Sequence, residues 1–146
     1  MAVVLAAVDF SPVTDAVCER AVVLSKALEL ELVLLHVAAD DPEFVGYEPG
    51  PDSVRSAVAG HLRDAHRQLQ ARASALSRDG LAVRPLTVQG PIVERILEHA
   101  ERLDAAWLVL GSHGHGKLYD LLVGSVADGV LRRSKVPTVM VPARPR

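Results

Sequence analysis

The residues best placed to do chemistry are the glycines and serines of one segment near the C-terminus. It reads Gly111-Ser112-His113-Gly114, and nine residues later Gly124-Ser125. Glycine lacks a Cβ, so its backbone can take positive φ and approach a ligand closely. Consecutive N–H groups in such a turn form an anion nest. Gly124-Ser125 stands where a helical pattern begins, and the exposed N–H groups and dipole of a helix start also favour an anion. The Ser125 hydroxyl can donate to a phosphate oxygen. Glycine count alone is a weak motif. Read plainly, Gly111 ends a strand, Gly114 and Gly116 make a turn, and Gly124 allows close helix packing.

Asp9, which ends the first apolar run, is a second candidate. Its carboxylate either caps the helix that follows or accepts hydrogen bonds from a ligand. Lys117 can meet a phosphate as a point charge or stay solvated. His36, His113 and His115 could gather at strand ends, but no Cys-x2-Cys or His-Glu-x2-His spacing supports an all-protein metal site. A magnesium or manganese ion bridging ligand phosphates is the better expectation. Gly-x-Gly-x-x-Gly is missing after the first strand, where Asp9-Phe10-Ser11-Pro12 stands instead, and Walker A is missing throughout. Ser112-His113 has no evident acid partner, and Cys18 has no activating base. No catalytic residue is assigned.

The elements that must position these residues follow from hydrophobic pattern. Val3–Val8 reads as a strand buried on both faces. Ser11-Pro12 offers an N-cap and N1 pair for a first helix, with Ala16, Val17, Ala21, Leu24 and Leu28 at helical spacing. Leu30–Val37 is a second strand. Residues 38–51 are rich in Asp, Pro and Gly and read as irregular. A long helix from about Asp52 to Ser77 carries the stripe Val54, Val58, Leu62, Ala65, Leu69, Ala73 and Leu76, with Gly80 at its C-cap. Leu81–Val88 is a third strand, and Pro85 argues for a sheet edge. A helix opens at Gly90-Pro91 and carries Ile92, Val93, Ile96, Leu97 and Ala100. A strand at Ala106–Leu110, a helix from Gly124 to Arg133 and a strand at Pro137–Val141 complete the chain. The alternation predicts one α/β domain over residues 1–146, a doubly wound five-stranded parallel sheet with helices on both faces. Ligands of such sheets bind at the carboxyl ends of the strands, where Asp9, Val37 and Gly111 stand.

Composition agrees. The chain has 146 residues, 49% of them hydrophobic, a share that suits a covered parallel sheet. The formal net charge of −2 and the 3% aromatic content give nucleic-acid binding little support. No apolar run approaches the length of a membrane span, and the N-terminus has no signal-peptide pattern. The single cysteine is compatible with a reducing compartment, so a cytoplasmic location is expected.

The spacing of the loop is more specific than its glycine count. Gly111-x2-Gly114 followed after nine residues by Gly124-Ser125 resembles the nucleotide-binding signature of the universal stress protein family. The resemblance extends over nearly the whole chain. It takes in Val8-Asp9-Phe10-Ser11, Leu34-Leu35-His36-Val37, Gly90-Pro91, Gly124-Ser125-Val126 and Val136-Pro137-Thr138-Val139-Met140-Val141. It implies the adenine nucleotide alpha hydrolase-like fold and binding of ATP, or of ADP or AMP. It places Ala7 and Asp9 beside the adenosine and the Val37 backbone on the adenine edge. Gly111, Ser112, His113 and Gly114 then attend the ribose and phosphates, and Gly124, Ser125 and Val126 form the phosphate-binding helix start. It also implies a homodimer through the last strand, Pro137, Thr138, Val139, Met140 and Val141, whose open edge would seek a partner. Family members lacking the glycines do not bind ATP, and this chain keeps them. Two other readings stand beside regulatory nucleotide binding. One is slow nucleotide hydrolysis, for which Asp120 and the loop histidines are the nearby base candidates. The other is an interaction module with a structural nucleotide.

Overall fold

The computed structural model describes residues 1–39, 51–113 and 123–143, with residues 51–58 described by backbone alone. The order is β1 (Val3–Ala7), α1 (Thr14–Leu28), β2 (Glu31–Ala38), α2 (Pro51–Leu76), β3 (Val83–Gln89), α3 (Ile92–Arg102), β4 (Ala105–Gly111), α4 (Ser125–Arg133) and β5 (Thr138–Val141). All strand pairs are parallel, in the order β3-β2-β1-β4-β5. The doubly wound expectation therefore holds, and the order reverses between β1 and β4.

Strand alternation sends side chains to two cores. Val4 and Ala6 of β1, Leu32 and Leu34 of β2 and Val109 of β4 meet Val17 and Ala21 of α1 and Leu69 and Ala73 of α2. Leu5, Val33, Leu35 and Leu108 point the other way, onto Ile96 and Ala100 of α3 and Ala127 and Val130 of α4. The central strands are apolar at consecutive positions because both faces are covered. Two helices of the second face approach closely. A methyl group on Gly129 of α4 would stand 2.9 Å from Val93 Cγ2 of α3.

Hydrogen-bond parity explains the edges. Leu32 N–H donates to Ala82 and Gly90 N–H to the Ala38 carbonyl, so even-numbered residues of β3 face β2 and odd ones face outward. Pro85 therefore lacks an N–H only on the open side, where it costs no ladder bond. In β5 the parity is reversed: Leu108 N–H donates to Pro137 and Ser112 N–H to Val141. Thr138 and Met140 then turn their backbone groups outward.

Two element ends differ from the expectation. α1 begins at Thr14, with Val13 as its N-cap, instead of at Ser11-Pro12. Residues 11–14 form a turn first, closed by Thr14 N–H to the Ser11 carbonyl at 3.0 Å. Pro12 occupies the position of that turn which its fixed φ suits. α2 ends at Leu76 and passes through a 3₁₀ turn, Ser77–Asp79, before Gly80 closes it at φ 81°. Cys18 is buried in α1. Burial pushes its thiol above the ordinary value, against the pull of the Arg72 guanidinium, which keeps it un-ionised and inert.

Two outcomes are expected. A Cβ at Gly111 would stand 2.5 Å from Val13 Cγ1, so Gly111→Ala should lower stability by about 1–3 kcal/mol. In a Val13→Ala background the same change should cost less, leaving only the tight approach to the His113 carbonyl at 3.2 Å; urea midpoints of the four proteins check both. The α3–α4 face carries an acid-sensitive pair. Arg133, bonded to Glu94 at 3.0 Å, holds that carboxyl below its ordinary value. The resulting stabilisation is complete above the unfolded glutamate pKa of about 4.3 and is lost as pH falls through the lower folded value. Arg133→Gln should flatten that part of the stability–pH curve, read by thermal melts between about pH 3 and 6.

Candidate functional site

β1 stops short of its neighbours. Its last rung pairs Ala7 with Leu35, whereas β2 continues to Ala38. On the other side Ala6 pairs with Val109, and β4 continues to Gly111. Val8 N–H still donates to the Leu35 carbonyl at 2.9 Å. The Val8 carbonyl, the next acceptor along, instead takes the Nδ1–H of His36 at 2.9 Å. The carbonyl acceptor fixes the proton on Nδ1, so this histidine is occupied as a strand tie.

Past Val8 the chain turns sharply. Phe10 adopts φ 60°, a left-handed conformation that costs a non-glycine residue about 1 kcal/mol or more. Its ring packs on His36 with centroids 4.6 Å apart. Asp9 Oδ1 accepts the Ser11 N–H at 3.0 Å. Asp9 thus caps the turn leading to α1 and not α1 itself.

The early end of β1 leaves a cavity of about 700 Å³ over the point where strand order reverses. This is a size typical of small-molecule sites. Ala7, Asp9 and Val37 stand on its wall, as do Gly111, Ser112 and His113, and Gly124, Ser125 and Val126. The structure therefore brings together nine residues singled out in the sequence. Gly114, His115, Gly116, Lys117 and Asp120 lie outside the described residues.

Each wall offers different chemistry. Ala38 bonds toward β3, so Val37 turns its N–H and C=O toward β1, past the point where β1 has ended. A backbone donor and acceptor thus face the cavity side by side. Leu35, Ile92 and Ile96 supply apolar surface beside them. At the opposite end, Gly124 caps α4 in extended backbone with no side-chain cap. The first-turn N–H groups of Ser125, Val126 and Ala127 have no intrahelical acceptor by the geometry of any helix start. Asp128, also on the wall, bonds Arg132 at 2.9 Å, which offsets its charge there.

The loop is fastened at its base. Ser112 N–H donates to Val141 of β5 at 2.9 Å, and Gly124 N–H donates to the Ser112 carbonyl at 2.6 Å. Ser112 Oγ and His113 Nδ1 lie 3.2 Å apart. Gly111 and Gly124 serve differently from the expectation of positive φ. Gly124 has φ −70°, and the described glycines with positive φ are Gly80 and Gly90. Gly111 is needed for room against Val13.

Sequence reasoning missed Val13, Thr14 and Val17, which wall the cavity from α1, and Val123 at the loop's end. Val17 was read as part of the apolar stripe of α1, and Val13 and Val17 are indeed buried. Only the place of Val13, Thr14 and Val17 just after Asp9 could have flagged them, and Val123 carried no such signal. Among the described residues no three His, Cys, Asp or Glu side chains are grouped to hold a metal ion. No helix among them is long and apolar enough to cross a membrane.

Comparison with known proteins agrees with this architecture. A model described as the universal stress protein family matches residues 1–142. Universal stress protein A homolog 1 of Coxiella burnetii is 30% identical over 131 residues, which cover 88% of this chain and 87% of that protein. Among solved structures, MJ0577 of Methanocaldococcus jannaschii superposes with a TM-score of 0.80 at 22% identity, covering 99% of this chain and 98% of that one. A universal stress protein solved in complex with cAMP gives a TM-score of 0.63 at 26% identity, with 97% and 96% covered. The match along nearly the full length shows that the chain belongs to the universal stress protein family.

Proposed function

We propose that this chain is a regulatory stress-response protein that binds an adenine nucleotide, ATP foremost, in the cavity over β1. The observation that carries the reading is the pairing of two recognition elements across one space. The free backbone edge of Val37 suits an adenine, and the uncapped start of α4 suits phosphates. A family member solved with cAMP supports the class of ligand. In this reading Ala7, Leu35 and Ile92 flank the base, and the Asp9 carboxylate accepts from ribose hydroxyls. Gly111, Ser112, His113 and Gly114 follow the ribose and phosphates, with Lys117 as a point charge. The N–H groups of Gly124, Ser125 and Val126 and the Ser125 hydroxyl hold phosphate oxygens. A magnesium or manganese ion, where present, bridges phosphates. The assignment is binding and not catalysis: the carboxylates on the described wall are engaged, Asp9 with Ser11 N–H and Asp128 with Arg132.

Binding to the folded state alone stabilises it by about 2.7 kcal/mol at a hundredfold excess over Kd. That linkage lets occupancy report on nucleotide supply in a cytoplasmic protein of one domain. The second part of the proposal is a homodimer through β5. The outward Thr138 and Met140 can each exchange backbone hydrogen bonds with a second copy about a two-fold axis at Val139, about four in all. Pro85 denies the same to the β3 edge.

Denatured protein should release adenine nucleotide on chromatography, and added ATP should raise the melting temperature. Ser125→Ala should weaken ATP about tenfold, through loss of a charge-assisted bond. No released nucleotide and no shift with ATP would end the reading. Light scattering at micromolar concentration should give a dimer. Met140→Pro, which deletes an outward N–H and leaves the bonds to β4, should give a folded monomer; an unchanged dimer places the interface elsewhere.

A further inference from the structure

The outer edge of β3 borders a second hollow, a cleft of about 560 Å³ between that strand and α2. Arg63, His66 and Arg67 line it from the helix, and Thr87 and Gln89 from the strand. Among the described residues no carboxylate lines it, on a chain whose net charge is −2. Both arginines are exposed and loosely engaged. Arg67 lies 4.0 Å from Asp64, and Arg63 donates its Nε–H to the Ala59 carbonyl at 3.3 Å, which leaves its terminal amino groups for other acceptors.

The strand side offers backbone. Odd-numbered residues of β3 turn their N–H and C=O away from β2. The Gln89 carbonyl accepts the Arg95 Nε–H at 3.2 Å. Among the described residues no hydrogen bond reaches the outward N–H and C=O of Thr87 or the N–H of Gln89. Pro85 has no N–H to offer, so pairing is confined to this last stretch of the edge. An edge with donors and an acceptor in strand register fits a peptide backbone. A phosphate chain brings acceptors alone and would leave the Thr87 carbonyl unmatched.

We infer that this cleft docks an extended acidic peptide of a partner protein, added antiparallel to the end of β3 with alternate carboxylates on Arg63 and Arg67. Antiparallel pairing is the more stable per residue. The Thr87 side chain faces α2, where its Oγ1 lies 2.8 Å from His66 Nδ1, whereas Leu86 and Val88 pack into the core on the other face. Peptide residues opposite Thr87 and Gln89 therefore send their side chains toward α2 as well. Alternate residues of a strand stand about 6.8 Å apart. Arg63 and Arg67, four residues apart on a helix, are separated by about 6 Å along its axis. Two carboxylates on one face of the peptide thus meet two guanidiniums in step.

The test is fluorescence anisotropy of the full chain with a capped, labelled peptide of alternating glutamate and valine. In the antiparallel arrangement the glutamate N–H groups face β3 and the valine N–H groups face away. N-methylation of the glutamates should weaken binding at least about tenfold, and N-methylation of the valines less than about threefold, at identical charge. Arg63→Gln with Arg67→Gln should weaken the unmethylated peptide about tenfold. Arg20→Gln with Arg78→Gln makes the same charge change at exposed sites on other elements and should stay within about twofold. No binding of the unmethylated peptide overturns the proposal. So does a loss on valine methylation equal to or larger than that on glutamate methylation, or an equal loss in the two arginine double variants. A single-stranded oligonucleotide of equal charge that binds more tightly than the peptide overturns it too, since the cleft is then a surface for phosphates. The inference stands apart from the nucleotide reading, and the presence or absence of ATP binding decides neither outcome.

Discussion

The length of one strand governs the carboxyl end of this sheet. β1 lies between β2 and β4 and ends before both of them. A single interaction marks the end: the His36 imidazole takes the Val8 carbonyl that would otherwise extend the ladder. The Phe10 ring, packed at a tilt on that imidazole, holds a left-handed turn in place. From this short strand follow the cavity, the Val37 backbone edge that looks past the end of β1, and the placement of Asp9. Strain of this kind persists only where the surroundings over-determine it, and here two strands and a ring contact do so.

The fold was legible because its local signals agree with one another. Apolar runs at Val3–Val8 and Leu32–Leu35 require cover on both faces, and Pro85 admits only an edge. The missed boundary, α1 at Thr14, was a contest between two roles of one dipeptide. Ser-Pro suits a helix start and a turn equally, and the choice fell to the turn because Asp9 and Phe10 set the chain direction first. Local sequence carries little information about a left-handed phenylalanine.

The site was legible in part. Glycines and a serine at fixed spacing announced the loop, and strand ends announced where it must stand. The reason for Gly111 was not legible, since its want of a Cβ answers to Val13, a residue on another element. His36, weighed as a metal candidate and set aside in the sequence, ties off a strand.

The bond from Gly124 N–H to the Ser112 carbonyl has a consequence for how such proteins diverge. It joins the two ends of the intervening segment at the rim of the sheet. Loop-closure entropy rises only slowly with length, so a segment hinged at one point can be lengthened, shortened or rewritten at little expense to the scaffold. The rim then behaves as a socket, and the segment as an exchangeable part. Changes of sequence within that segment would then leave β4, β5 and α4 in their places.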